Sequence, residues 1–129
     1  MGAAVKRILV TGAGGNASQS FVNSIRMGEE KFHVVGVDTS PIHMECSNLE
    51  ARYLIPRCSD PSYVDAINKI IKEERIDFLH PQPDVEVAKI SECREQININ
   101  CKTYLPAVGT IRDCHDKTIT NKKLREFSV

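Results

Sequence analysis

The chain has 129 residues, 41% hydrophobic and 26% charged, enough for one domain around one continuous core. Its 17 basic and 17 acidic residues cancel, which argues against a nucleic-acid or membrane-surface partner. No apolar run approaches the about 20 residues of a membrane span, and Met1 to Arg7 leads into no signal-peptide hydrophobic region, so the expected location is cytoplasmic.

Val5 to Thr11 is nearly continuously apolar, the pattern of a strand covered on both faces. A glycine-rich turn follows, and then Ala17, Phe21, Val22 and Ile25 recur at helical spacing, with Gly28 placed to end that helix. Phe32 to Asp38 is a second strand, rich in β-branched residues, closed by Ser40-Pro41. Pro41 to Ala51 is polar and mixed, with room for one helical turn, and Arg52 to Pro56 is a short third strand. Asp60-Pro61 predicts a helix start, aspartate as N-cap and proline at the first helical position. Val64, Ile67, Ile70 and Ile71 form that helix's buried stripe. Ile76 to His80 is a fourth strand, Val85 to Gln96 a helix, and Lys102 to Leu105 a short fifth strand.

This alternation, with connections too long for hairpins, predicts an α/β, Rossmann-like, three-layer domain: a mainly parallel sheet with helices on both faces. Asp116 to Val129 reads as the opening of a further helix with Ile119, Leu124 and Phe127 as its apolar positions. With no later element to bury them, the expectation is two units, a Rossmann-like domain over 1–115 and the start of a truncated second domain over 116–129.

Five cysteines (Cys46, Cys58, Cys93, Cys101, Cys114) form no C-x-x-C pair and no cysteine–histidine cluster of ligand spacing, so they read as reduced thiols and no metal site is expected.

The run Thr11-Gly12-Ala13-Gly14-Gly15-Asn16-Ala17-Ser18 carries the most chemistry. Glycines let the backbone turn sharply and approach a ligand, and the helix that follows favours negative charge at its N-terminus. Ser18 stands where a dinucleotide fingerprint has its last glycine. Asp38 ends the second strand, where a carboxylate either hydrogen-bonds a ribose or organises its own turn. In His80-Pro81-Gln82-Pro83-Asp84-Val85-Glu86, Asp84 reads as a helix cap and Glu86 as a first-turn acid, while His80 reads as a strand-end residue. There is no Tyr-x-x-x-Lys pair, no G-x-S-x-G elbow, no Walker lysine and no H-E-x-x-H helix, so no catalytic residue is assigned.

The order of these pieces is more specific than any one of them. Ile8-Leu9-Val10-Thr11-Gly12-Ala13-Gly14-Gly15 precedes Val34-Val35-Gly36-Val37-Asp38-Thr39-Ser40-Pro41. Then come Arg52-Tyr53-Leu54-Ile55-Pro56, Asp60-Pro61-Ser62-Tyr63, and Ile76-Asp77-Phe78-Leu79-His80-Pro81 with Asp84 and Glu86. Val108-Gly109-Thr110 leads to Asp116-Lys117. Over nearly its whole length the chain resembles the N-terminal, pre-ATP-grasp region of ATP-grasp ligases, of the carbamoyl phosphate synthetase large-subunit-like group.

The resemblance implies the substrate-side domain of an ATP-dependent carboxylate–amine ligase. In that family ATP converts a carboxylate to an acyl phosphate, which an amine or other nucleophile then attacks. Thr11, Gly12, Gly14, Gly15, Asp38, Asp84 and Glu86 would face a carboxylate-bearing small molecule. Lys117 would contact ATP, as the lysine opening the first ATP-grasp lobe does in some members. ATP and Mg2+ would serve the intact enzyme, with the remaining lobes in cis. The chain alone would be inactive and bind neither tightly. Two other readings stand beside it. One is an NAD(P)-binding Rossmann domain of epimerase or reductase type, on the glycine turn and Asp38. The other is a non-catalytic interaction module; a homodimer through Ile119, Leu124 and Phe127 fits this or the ligase reading.

Overall fold

The computed structural model describes residues 4–45 and 48–129; Cys46 lies outside them. Four parallel strands, β1 (Lys6–Thr11), β2 (Phe32–Asp38), β3 (Ala51–Leu54) and β4 (Phe78–His80), form one sheet in the order β3-β2-β1-β4. The chain moves outward from β1 to β2 and β3, then returns to place β4 on the other side of β1. The order therefore reverses beside β1, the place where open α/β sheets leave a crevice at their carboxyl ends.

Alternation along the strands divides the core in two. Ile8, Val10 and Val34 point to one face, where Val22, Phe21 and Ile25 of α1 (Asn16–Arg26) cover them. Leu9, Val35, Val37 and Leu79 point to the other, against α3 (Tyr63–Glu73), with Ile90 of α4 (Asp84–Glu92) in the same cluster. Strands buried on both faces explain the unbroken apolar runs, and the three-layer parallel architecture is as expected from sequence.

Several local expectations are corrected. α3 starts at Tyr63 rather than just after Asp60: the Asp60 carboxylate accepts from the Ser62 N–H (2.8 Å) and hydroxyl (2.6 Å), closing a turn ahead of the helix. α4 is shorter than expected and gives way to a 3₁₀ turn, Arg94–Gln96. The expected fifth strand is a single parallel bridge between Phe78 and Lys102, with Leu79 N–H bonded to Lys102 O and Lys102 N–H to Asp77 O.

The C-terminal region holds two helices, not one. α5 (Val108–His115) packs on α4 through the buried Ile111, and α6 (Lys117–Glu126) packs on α5. Asp116 caps α6, its Oδ1 accepting from the N–H groups of Thr118 (2.8 Å) and Ile119 (3.3 Å). α6 buries no residue, and Phe127 just beyond it is 78% exposed. α2 (Pro41–Glu45) is the short turn after β2.

Candidate functional site

All four strand ends contribute to one cavity of about 530 Å³. β1 leads into Gly12 and Gly15, β2 into Asp38, Thr39 and His43, β3 into Arg57, Cys58 and Ser59, and β4 into Pro83, Val85 and Glu86.

The glycine loop is built by close backbone approach. Gly12 has φ +57°, and a Cβ there would lie 2.4 Å from the Pro83 ring. A Cβ on Gly14 would lie 2.3 Å from the His43 carbonyl oxygen. Both glycines are thus required by their neighbours, one also by its left-handed backbone. Three of the loop's N–H groups are used internally: Ala13 N–H bonds Val37 O, Gly15 N–H bonds Gly12 O, and Gly14 N–H bonds Asp38 Oδ2 at 3.1 Å. α1 begins behind this loop with no side-chain cap, and its first turn holds no acidic residue.

Asp38 is 7% exposed. Its second oxygen, Oδ1, accepts from Ser40 N–H at 2.9 Å and lies 3.9 Å from His43 Nδ1. The carboxylate thereby clamps the glycine loop to the β2–α2 turn. Thr11 is fully buried; its hydroxyl oxygen accepts from Gln82 N–H (3.2 Å), and its carbonyl accepts from the Ser18 hydroxyl (3.1 Å). Ser18 therefore ties helix to strand where a dinucleotide fingerprint has glycine.

Glu86 sits in the first turn of α4 and is 5% exposed. Burial raises its pKa, against the Thr11 and Tyr63 hydroxyls that lower it, and the Asp38 charge adds to the rise. Neither Glu86 Oε2 nor the fully buried Tyr63 hydroxyl completes a hydrogen bond of normal geometry among the described residues. Asp84 is exposed at the first position of α4 and outside the cavity lining; the N-cap is Pro83, with no side-chain cap, so Asp84 does not take the expected capping role.

His80 stacks on Phe21 with ring centroids 3.8 Å apart, and its Nε2 lies 2.9 Å from Gln82 Oε1. Lys117 is exposed at the start of α6 and does not line this cavity. The cavity therefore unites Gly12, Gly15, Asp38 and Glu86. It also adds Arg57, Cys58, Ser59, Thr39 and His43, which sequence reading did not select. Among the described residues no three His, Cys, Asp or Glu side chains gather as metal ligands.

Residues 8–104 match the PylC-like, N-terminal domain family, and the chain belongs to it. It is thus the N-terminal, pre-ATP-grasp domain of the ATP-grasp ligases. A search of curated proteins found no match. Among solved structures, the complete multifunctional pyruvate carboxylase from Rhizobium etli is similar at TM-score 0.59 and 14% identity, over 98% of this chain and 13% of that one. The biotin carboxylase subunit of pyruvate carboxylase is similar at TM-score 0.58 and 16% identity, over 98% of this chain and 28% of that one. UDP-D-quinovosamine 4-dehydrogenase from Vibrio fischeri is similar at TM-score 0.51 and 20% identity, over 87% of each chain. At these identities the likenesses establish the fold. The chain spans only 13% and 28% of the two carboxylase chains. No described helix is long and apolar enough to cross a membrane.

Proposed function

We propose that this chain forms the substrate side of the active-site cleft in an ATP-dependent carboxylate–amine ligase of the acyl-phosphate type, working in the cytoplasm. The observation that carries the reading is the cavity itself: all four strand ends converge on it, in a chain that belongs to the PylC-like N-terminal domain family. The candidate substrate contacts are Gly12, Gly15, Asp38 and Glu86 at the cavity, with Thr11 and Gly14 supporting them from beneath and Asp84 at the exposed rim. A carboxylate-bearing small molecule is held there while ATP and Mg2+ are held by ATP-grasp lobes in cis, for which α6 is the opening segment. Lys117 is assigned to the ATP phosphates; its exposure leaves it free to meet them.

Asp38 weighs against the NAD(P) reading. Both of its oxygens are engaged by backbone N–H groups, so a ribose hydroxyl would have to displace one of them. The test uses a longer chain that carries the lobes. Carboxylate-dependent ADP release is expected, absent from residues 1–129 alone. In that chain Lys117→Ala is expected to raise the apparent KM for ATP with little change in the KM for the carboxylate. Carboxylate-independent activity, or saturable NADH binding to residues 1–129, would overturn the reading.

A further inference from the structure

We propose that the floor of the cavity is a seat for a protonated amine, with Glu86 receiving a primary ammonium group of the bound ligand and Asp38 reinforcing it. The argument starts from an imbalance. Glu86 is 5% exposed, lines the cavity, and meets only the Thr11 and Tyr63 hydroxyls, its Oε2 completing no hydrogen bond of normal geometry among the described residues. The groups that act on it are two hydroxyls and a second carboxylate, with no cation among them. A buried carboxylate left so is costly, and a donor bearing positive charge is the complement that removes the cost.

Asp38 cannot supply that complement and deepens the need for it. Its oxygens are held by Gly14 and Ser40 N–H groups, which fix it as a second acid at the cavity that Glu86 lines. The cavity's own basic side chains, His43 and Arg57, are exposed at its rim. A bound metal ion is a poorer fit than an amine, because no third His, Cys, Asp or Glu ligand joins the two acids among the described residues. An ammonium group needs only acceptors, and a carboxylate lining the cavity supplies them. Burial raises the Glu86 pKa, and an ammonium group beside the carboxylate acts against that rise, so amine binding and loss of the Glu86 proton are linked. Assigning the amine to a ligase substrate rests on the reading above; the seat itself does not.

The test compares n-butylamine with butyrate, each titrated into isotope-labelled residues 1–129 and followed by NMR. Butylamine is expected to move the Thr39, Cys58 and Val85 amide signals and the Glu86 carboxyl carbon, while butyrate at the same concentration does not. Butylamine affinity is expected to rise with pH as Glu86 loses its proton, and to fall at least about tenfold in Glu86→Gln. A measurement on the unmodified chain stands beside that variant: calorimetry in two buffers of different ionisation heat, run across the pH range in which Glu86 titrates, should register proton release on butylamine binding. Shifts from butyrate alone, or none from either probe, overturn the amine seat and leave the ligase reading standing. Shifts from NADH with none from butylamine overturn both.

Discussion

The two rims of the sheet each hold a buried or nearly buried glutamate, and they treat it in opposite ways. At the amino-terminal rim Glu74, just past α3, accepts hydrogen bonds from the Tyr53 hydroxyl and from Arg7, whose guanidinium lies 2.5 Å away, with His33 Nε2 at 3.8 Å. The Tyr53 hydroxyl, followed by Arg7, holds its carboxyl below the usual range against the opposing effect of burial. At the carboxyl-terminal rim Glu86 meets two hydroxyls and another acid, and burial holds it above that range. The paired glutamate serves the fold. The other, with no cation beside it, lines a cavity whose glycine loop is set by close backbone approach and by the Asp38 carboxylate.

The largest expected effect probes that backbone-built rim. In Gly14→Ala the new methyl meets the His43 carbonyl, so α2 must shift; a loss of about 3 kcal/mol is expected in urea unfolding. A loss below about 0.5 kcal/mol would mean that the loop yields easily and the rims differ less than described. Next is Arg7→Met, which leaves Glu74 partly buried without its cation. Because the arginine side chain is 30% exposed, solvent moderates the loss to about 2 kcal/mol, read in the same assay.

A third test reverses the sign. Removing the Glu86 charge in Glu86→Gln is expected to raise stability at neutral pH by about 1 kcal/mol while weakening ligand binding. The pH dependence follows. Glu74 has a lowered pKa, so its contribution is present above the unfolded-state value of 4.5 and fades as pH falls through that value and the lowered one. Glu86 has a raised pKa, so its neutral form costs nothing at low pH, and stability is lost as pH rises from 4.5 through the raised value. Stability of Glu86→Gln against pH should keep the acid limb and lose the decline above it. The smallest effect, about 0.5 kcal/mol, is expected for Asp116→Ala, which uncaps a helix belonging to neither rim; faster amide exchange confined to α6 would register it.

What could be read from the sequence divides along similar lines. β2 was legible to its exact ends, and the α3 stripe Val64, Ile67, Ile70, Ile71 was legible because one face repeats at helical spacing. α5 was not: Val108, Gly109, Thr110 and Ile111 are weak helix formers, and burial of Ile111 beside α4 overrides their propensity. The fifth strand failed because Tyr104, 85% exposed, and the following Pro106 give the segment nothing to pair beyond Lys102. Within the cavity, Gly12, Asp38 and Glu86 stood out as glycine turn, strand-end acid and first-turn acid. Arg57, Cys58 and Ser59 did not, because they follow a strand whose seat beside β2 is a fact of topology rather than of local pattern.

The single bridge at Lys102 has a consequence for how copies of this chain behave in crowded solution. A parallel sheet with bare borders invites foreign strands to dock along it. Here the β4 border is occupied by the chain's own backbone through Leu79 and Lys102, in bonds of 2.8 and 2.9 Å to Lys102 and Asp77. The opposite border, β3, is four residues long, with its outward side chains at Arg52 and Leu54 exposed. One border is covered at Lys102 and the other is only four residues long, so each margin offers a foreign strand little free backbone to pair with.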